Sequence, residues 1–498
     1  MNISKRFIST FCVLLVGGFV YGQNAILKYD VEAGTILGGG DKAPFWLTAN
    51  RYGKYSTLPQ SAFASAGIEY RQKMNYGWRF NVGAEIAGST GMYNNIFAQQ
   101  GFAEVAWKKI GLSFGSKERE AFLNEDRRIS SGAMLEGWNA RPFPQLRIEV
   151  PEYLTVPFTK NWLHLKGYFA YGWLVDGEWQ RDFVSAGRTF VDKTLYHGKG
   201  LLFKIGNPEK KRWELEVGLQ VTTMFGGTRY KKLDDGGVEK LFEMPSSFKD
   251  YLSVILPMAG GDDTPTGDQL NVEGNVMGAW LGSFAYRFEN DSRLRIYAEH
   301  FFEDESQMFM QYGLWKDGFI GVEYTFPKGL WIEKILWEGM NTTDQSGPIL
   351  YEWYAANFDN IQISACDNYY NHSFYGAWQY YGQAMGHPLV LSPIYNENGS
   401  ITFRSNRMKA HHIGVCGSIG KEWDYTVKGS WTRNWGTYNN PTDDVLHQLC
   451  VMGGVSYMPV WAKGWKASVE AGVDIGKYPG NAAGVMITLK KEGVIWKK

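Results

Sequence analysis

The stretch Trp162–Trp173 reads W-L-H-L-K-G-Y-F-A-Y-G-W, and its alternation decides the fold. Every second residue from Leu163 to Trp173 is apolar or glycine, whereas the residues between them include His164 and Lys166. Because a β-strand points successive side chains to opposite faces, this pattern predicts a strand with one apolar and one polar side. Its length suits a tilted membrane-crossing strand of roughly 9–11 residues better than a soluble strand of roughly 5–6 residues.

The same two-faced pattern recurs along most of the chain. Strong copies that begin with tryptophan occupy Trp78–Ile86, Trp213–Val221 and Trp465–Ile475. Weaker copies occupy Ile110–Phe114, Leu294–Phe302, Phe319–Thr325, Met408–Ile419, Tyr425–Trp435 and Val485–Leu489. Tryptophan at strand ends favours a membrane interface, and the repeated charged face then lines a lumen. We predict an all-β fold, a transmembrane outer-membrane β-barrel of roughly 16–18 antiparallel strands with short helical insertions.

One insertion has helical rather than strand periodicity. Ser247–Leu256 reads S-F-K-D-Y-L-S-V-I-L and places Phe248, Tyr251, Leu252 and Ile255 on one helical face. Ser247 followed by Asp250 resembles a capping box. We predict a short helix that packs this stripe on protein, while periodicity leaves open whether it plugs the lumen or caps a rim. The acidic Gly260–Asp268 that follows is interpreted as a solvated loop, because it lacks the spacing of a calcium loop.

The first residues predict an export signal. Lys5 and Arg6 precede the apolar run Phe7–Val20, and Val20-Tyr21-Gly22 fits a cleavage site with small residues. We predict a signal peptide over residues 1–22, a single barrel domain over residues 23–498, and an outer-membrane location.

Composition and motifs exclude several classes of function. Lys and Arg together number 51, as do Asp and Glu, which gives no case for nucleic-acid binding. No catalytic or metal-binding motif stands out, so we predict no enzyme, no metal and no cofactor. Cys366, Cys416 and Cys450 are far apart, which favours small apolar residues on strands, although one disulfide stays open.

An aromatic-rich segment, Asp367–Pro393, fits neither a lipid-facing strand nor a linker. Aromatic faces beside amides and hydroxyls are suited to stacking on sugar rings and bonding sugar hydroxyls. The candidate glycan-binding residues here are Tyr369, Tyr370, Asn371, His372, Trp378 and Tyr380. The alternative is a long loop that folds inward and packs its aromatics on one another.

Several of these segments resemble the Wzi-type capsule assembly proteins of Gram-negative outer membranes. The resemblance is carried by Asp367–Leu389, by Gly38–Gly53 (G-G-G-D-K-A-P-F-W-L-T-A-N-R-Y-G) and by Gly339–Pro348 (G-M-N-T-T-D-Q-S-G-P), with similar turns at His197-Gly198-Lys199 and Gly274-Asn275. It implies one outer-membrane barrel whose periplasmic side is closed by helical segments. The chain departs from the usual barrel terminus, since Trp496 is followed by Lys497 and Lys498.

The resemblance also implies a lectin-like role without enzymatic activity. The chain would bind capsular or extracellular polysaccharide at the cell surface, with outer-membrane lipid and other capsule-export components as partners. Asn50 and Arg51 join the candidate glycan-binding residues because they lie in a segment that carries the resemblance. The alternatives are a porin or sugar channel, and then an outer-membrane hydrolase with a Ser–His pair.

Overall fold

In the computed structural model, the described residues are 24–207, 210–255, 274–303, 308, 317–345, 347–348, 362–363 and 368–498. The predicted signal peptide, the acidic loop Gly260–Asp268 and Cys366 lie outside these ranges.

Eighteen strands form one closed antiparallel barrel, as predicted. Each strand pairs with its neighbours along the chain, and β1 pairs with both β2 and β18, which closes the sheet. The strands are β1 Ala25–Gly40, β2 Gln60–Lys73, β3 Trp78–Ser89, β4 Ile96–Trp107, β5 Ile110–Ser116, β6 Gln145–Thr155, β7 Leu163–Trp173, β8 Leu195–Ile205, β9 Trp213–Phe225, β10 Asn275–Arg287, β11 Arg293–Glu303, β12 Gly318–Thr325, β13 Lys334–Asn341, β14 Met408–Ile419, β15 Trp423–Gly436, β16 Pro441–Tyr457, β17 Trp465–Gly476 and β18 Ala482–Lys497.

Short elements decorate the connections. The α-helices are α1 Phe45–Thr48, α2 Gly177–Phe183 and α3 Phe248–Ser253, and 3₁₀ turns lie at Asn75–Gly77 and Pro393–Tyr395. Short strands outside the barrel are Thr189–Asp192, Thr228–Lys232, Val238–Glu243, Gly347–Pro348, Gln362–Ile363, Asn371–His372, Gly376–Ala377, Gln379–Tyr380 and Gln383–Ala384. Within the described residues, no helix is long and apolar enough to cross a membrane.

The two ends of the barrel differ in the length of their connections. One end, which we call the short-turn end, has short connections such as residues 108–109 and 420–422. The start of β1 and the end of β18 also lie at this end. The other, the long-loop end, carries residues 117–144 and, between β13 and β14, the described residues 342–345 and 368–407. In bacterial outer-membrane barrels the short turns are periplasmic and the longer loops are extracellular.

The outer wall is apolar, as the alternation predicts. On β9 the side chain of Val217 is 46% exposed outside, whereas the neighbouring Glu216 and Gln220 are 6% and 4% exposed on the inner face. Tryptophans gather on the outer wall at the short-turn end, at positions 78, 107, 423, 465 and 496. Such a girdle is typical of a membrane–water interface.

Helix α3 confirms part of its prediction and corrects the rest. It covers Phe248–Ser253, and the Ser247 amide donates a 2.5 Å hydrogen bond to Asp250 Oδ2. The expectation that the whole apolar stripe packs on protein is wrong, because Phe248 is 78% and Leu252 is 50% exposed. The helix lies against the outer wall, with the ring of Tyr251 5.2 Å from that of Tyr171, so it neither plugs the lumen nor caps a rim.

The barrel interior is filled by three segments that enter from the long-loop end, residues 41–59, 117–144 and 368–407, which we call the plug. Its largest fully buried side chains include Trp46, Trp138 and Trp378. The resemblance implies that helices close the periplasmic side. Among the described short-turn connections there is no α-helix, and the lumen is filled instead by the plug. Of the cysteines in the described ranges, Cys416 and Cys450 are free and buried.

Residues 117–144 reach through the barrel to its far end. Arg128 forms a 3.3 Å ion pair with Glu333, which lies in the short-turn connection before β13. Glu125 pairs at 2.7 Å with Arg293, the first residue of β11. Arg128 and Arg293 thus tie this segment to the short-turn end through carboxylates. Burial raises the pKa of Glu125, but Arg293 and Arg295 lower it by more, so that its net pKa is about 2.

Candidate binding cavity in the lumen

The aromatic segment predicted to bind glycan forms the centre of the plug. Trp378 is 0% exposed, and its indole nitrogen donates a 2.9 Å hydrogen bond to the carbonyl oxygen of Leu135. The hydroxyl of Tyr370 donates to the carbonyl oxygen of Met134. These bonds join the aromatic segment to residues 117–144 and leave no open ring face at Trp378 or Tyr370.

The other predicted residues of this segment also bond within the protein. Tyr369 donates from its hydroxyl to Asp317 Oδ2 at 3.1 Å, and the buried Tyr380 packs its ring 5.7 Å from Phe143. Asn371 Nδ2 donates to the carbonyl oxygen of Phe403 at 2.9 Å. This inward packing corresponds to the alternative weighed for the segment, while its role in glycan binding stays a prediction.

Burial sets the protonation of the histidine in this segment. Burial, with a smaller contribution from Arg229, lowers the pKa of His372 to about 4. The neutral Nδ1 accepts the amide of Phe374 at 3.1 Å. His372 therefore serves a local turn in this conformation.

Asn50 and Arg51 lie in a different place, on the loop between β1 and β2. Asn50 is buried and donates from Nδ2 to the carbonyl oxygen of Ser131 at 2.9 Å, so it ties two plug segments together. Arg51 Nη2 lies 2.7 Å from Glu470 Oε1 on β17. The structure thus separates these two residues from the aromatic segment and places them at an internal cavity.

This cavity has a volume of about 1100 Å³ and lies between the plug and the short-turn end. Its walls are the inner faces of β1–β4 and β15–β18, and it extends to Lys463 and Gly464 in the turn before β17. Ligand pockets commonly measure roughly 300–1,000 Å³, so the space is large enough for an oligosaccharide segment.

The lining of the cavity is strongly polar. Its described lining includes 11 Lys or Arg and 8 Asp or Glu residues. The basic residues are Lys28, Arg51, Lys54, Arg71, Arg127, Arg128, Lys428, Lys463, Lys466, Lys490 and Lys491. The acidic residues are Asp30, Glu32, Glu69, Glu85, Glu118, Asp424, Glu470 and Glu492. Thr426, Ser456, Ser468, Thr488, Asn50 and Gln100 add hydroxyls and amides.

The roof of the cavity combines cations with aromatic rings. Lys428 Nζ lies 4.9 Å from the ring centroid of Trp46, and Arg127 Cζ lies 4.9 Å from that of Tyr52. Arg51 Cζ lies 5.8 Å from the ring centroid of Tyr55. The rings are buried, so they hold the cations in place through cation–π attraction.

Electrostatics keeps the roof cation Arg51 charged. Burial lowers the pKa of Arg51, but the carboxylate of Glu470 more than offsets this, and the net pKa is raised. Lys54 behaves alike: burial lowers its pKa, whereas Glu32 and Glu85 raise it above its usual value. The Lys54–Glu85 pair is 2.6 Å long.

Sequence reasoning missed most of this roof. Lys428 belongs to the polar face of the predicted strand Tyr425–Trp435, so the sequence predicts that its side chain points into the barrel. Its contact with the Trp46 ring could not be predicted in this way. Trp46, Tyr52 and Arg127 carry no periodic signal, because they lie on loops whose path into the lumen is set by tertiary contacts.

The fold resembles outer-membrane barrels of known structure. Wzi of Escherichia coli, described as an outer membrane protein involved in group 1 capsule assembly and as a carbohydrate-binding β-barrel, is 12% identical, with a TM-score of 0.56 over 94% of this chain and 84% of that chain. OprD of Pseudomonas aeruginosa is 8% identical, with a TM-score of 0.47 over 96% and 98%. OccK5 (OpdH) of Pseudomonas aeruginosa is 8% identical, with a TM-score of 0.44 over 96% and 100%.

No family model matches the sequence, and no match was found among curated proteins. At such low identities, the likeness to Wzi shows the fold alone, an outer-membrane type of β-barrel.

Proposed function

We propose that this protein is an outer-membrane β-barrel that binds surface polysaccharide and supports the assembly or attachment of capsule or exopolysaccharide. The observation that carries the proposal is a lumen occupied by a packed plug, with a polar cavity of oligosaccharide size beneath it. The carbohydrate binding described for Wzi, which shares the fold, adds support. The proposed role involves no chemical reaction, metal or cofactor.

The proposed setting follows from the outer wall. A continuous apolar belt with a tryptophan girdle suits outer-membrane lipid, and export through the predicted signal peptide would deliver the chain there. The proposed partners are capsular or extracellular polysaccharide and other capsule-export components.

The second candidate function is a porin or sugar channel. It is favoured by the charged inner faces of β1–β3 and β15–β18, which are typical of polar barrel lumens. The plug argues against it, because Trp46, Trp138 and Trp378 are each no more than 1% exposed within the barrel.

Two measurements on purified protein test the proposal. A glycan array probed with detergent-solubilised protein should show binding to bacterial surface polysaccharides, and planar bilayers should show no steady open-channel current. Steady currents without glycan binding would favour the porin. Shortening of a bound glycan during incubation would instead indicate a hydrolase.

A control variant calibrates the conductance measurement. Deleting plug residues 369–391 removes Trp378 and its neighbours while leaving the barrel strands intact. This variant should conduct. A current through it would mean that the absence of current through the intact protein comes from the plug and not from failed insertion into the bilayer.

A further inference from the structure

The cavity roof brings together three cations, Arg51, Arg127 and Lys428. Lys428 is 5% exposed and donates from Nζ to the carbonyl oxygens of Arg127 and Ser130, at 3.0 and 3.2 Å. Within the described part of the chain, neither Lys428 nor Arg127 forms an ion pair, and Arg51 has one, with Glu470. Arg127 is exposed, but Lys428 is buried, and a buried cation is unfavourable unless an anion neutralises it.

The surroundings suit a saccharide rather than a bare ion. Hydroxyls of Ser456 and Ser468, which lie 2.9 Å apart on β16 and β17, face the same space as Lys466. Thr488, which is the cross-strand partner of Ser468 on β18, adds a further hydroxyl, and Gln100 on β4 adds an amide. Sites for sugars place a few such polar groups around a pocket, and the volume exceeds what one small anion needs.

We infer that the roof formed by Arg51, Arg127 and Lys428 is an anion-binding subsite for a carboxylate-bearing saccharide, such as a uronic acid in a longer chain. The cavity reaches the short-turn end at Lys463 and Gly464, which is the periplasmic side in outer-membrane barrels, so the saccharide enters it before reaching the cell surface. Its carboxylate pairs with the roof cations, above all the buried Lys428, while its hydroxyls bond to the walls. This inference rests on the proposed polysaccharide binding and specifies its chemistry and its side of entry.

The roof cations are held in position before any ligand binds. The rings of Trp46 and Tyr52 and the carbonyl acceptors of Lys428 fix the cations before any ligand arrives. Preorganised groups lose less freedom on binding, so modest contacts can hold a chain that binds repeatedly along its length.

Calorimetric titration of the full-length protein in neutral detergent tests the inference. The probes are tetragalacturonate, neutral maltotetraose and inorganic sulfate. The variants are Arg127→Gln and Lys466→Gln, with Lys428→Gln as a buried third, and Lys328→Gln as a matched control at the same barrel end but outside the lining.

Tetragalacturonate should bind more tightly than maltotetraose, and Arg127→Gln or Lys466→Gln should weaken it by about tenfold, as expected for losing one charge-assisted hydrogen bond. Lys328→Gln should leave it unchanged. Because Lys428→Gln can disturb the plug, its melting temperature is measured beside its binding. The variants at the exposed Arg127 and the half-buried Lys466 keep the test valid if Lys428→Gln unfolds.

Three outcomes overturn the inference. Equal binding of the two tetrasaccharides, insensitive to the cavity variants, would leave polysaccharide binding intact and remove the anionic subsite. Displacement of tetragalacturonate by equimolar sulfate would indicate an inorganic anion site. Absence of binding to every probe, together with a blank glycan array, would overturn the proposed function as well.

Discussion

The indole nitrogen of Trp378 donates a 2.9 Å hydrogen bond to the carbonyl oxygen of Leu135, joining two plug segments that are far apart in the chain. Around this bond the ring of Tyr196 lies 6.2 Å from that of Trp378, on the inner face of β8. The indole therefore connects the plug to itself and to the barrel wall.

Replacing Trp378 with alanine should loosen the plug. Truncating a buried aromatic side chain typically costs about 3–5 kcal/mol, and here the Leu135 carbonyl also loses its donor. Protease resistance of residues 117–144 and the heat-modifiability of the barrel should both fall, whereas Tyr76→Ala, which removes a ring that is 90% exposed, should change neither. Reduced polysaccharide retention on cells with unchanged melting would instead support glycan contact by this ring.

Neighbouring residues on β17 test which face meets lipid. Val469 is 52% exposed on the outer wall, whereas Ser468 lines the cavity. Arginine at a lipid-facing site near the bilayer midplane costs roughly 2–4 kcal/mol, so Val469→Arg should impair folding into lipid vesicles. Ser468→Arg should fold as wild type, and the reverse result would invert the assignment of faces.

Luminal positions do not all share this tolerance. Glu216 accepts hydrogen bonds of 2.5 Å from both Tyr153 and Ser283 and lies 3.4 Å from Arg295, which is 1% exposed. Glu216→Ala should destabilise the barrel because it leaves a buried guanidinium short of countercharge, while Glu216→Gln should be milder. Unfolding in denaturant, measured for both variants, compares the two.

Helix α3 should lie in lipid through its outward side. Phe248 and Leu252 are exposed side chains of α3 itself, which packs on the apolar outer wall through Tyr251. A spin label at position 248 in nanodiscs should be accessible to oxygen and protected from a polar nickel reagent, like a label at Val217. A label at the luminal Lys466 gives the aqueous reference, and nickel accessibility at position 248 equal to that reference would place the helix in water.

Protonation of Asp176 should stabilise the plug in mildly acidic solution. Burial raises the pKa of Asp176 to about 6, although Gln379 and the amide of Tyr381 donate to it at 3.1 Å. Because the folded pKa exceeds the ordinary 3.8, the contribution is fully present below the unfolded pKa and is lost as the pH rises through about 6.

Hydrogen exchange of the amides around Tyr381, corrected for intrinsic rates, checks this. The opening free energy of the wild type should fall between pH 5 and 7, by on the order of 1–3 kcal/mol, and Asp176→Asn should abolish that slope. The exposed Asp443→Asn serves as control and should retain it. A slope that persists in Asp176→Asn would assign the titration to another group, of which Asp317, with a pKa raised to about 6 by burial, is the first to test.

The barrel was predictable because its signal is periodic. Apolar and polar residues alternate along the whole of Trp465–Ile475, and the structure contains this segment within β17. The plug was not predictable in the same way, since Trp378 and Tyr370 are residue types that serve a packed core and a sugar site equally. The prediction that the apolar stripe of α3 packs on protein was wrong because helical spacing identifies an apolar face but does not tell whether protein or lipid covers it.

The passage of residues 117–144 down to Glu333 has a kinetic consequence. Hairpins between adjacent strands form from local contacts, but the seam between β1 and β18 joins the two ends of the barrel and is the most non-local pairing. Non-local pairing is slow, so we expect the seam to form late. A segment that pairs with Glu333 and Arg293 from inside is most easily enclosed before that seam shuts. Chain topology thus couples two steps of folding, since the plug segment enters the barrel first and the seam between β1 and β18 closes around it afterwards.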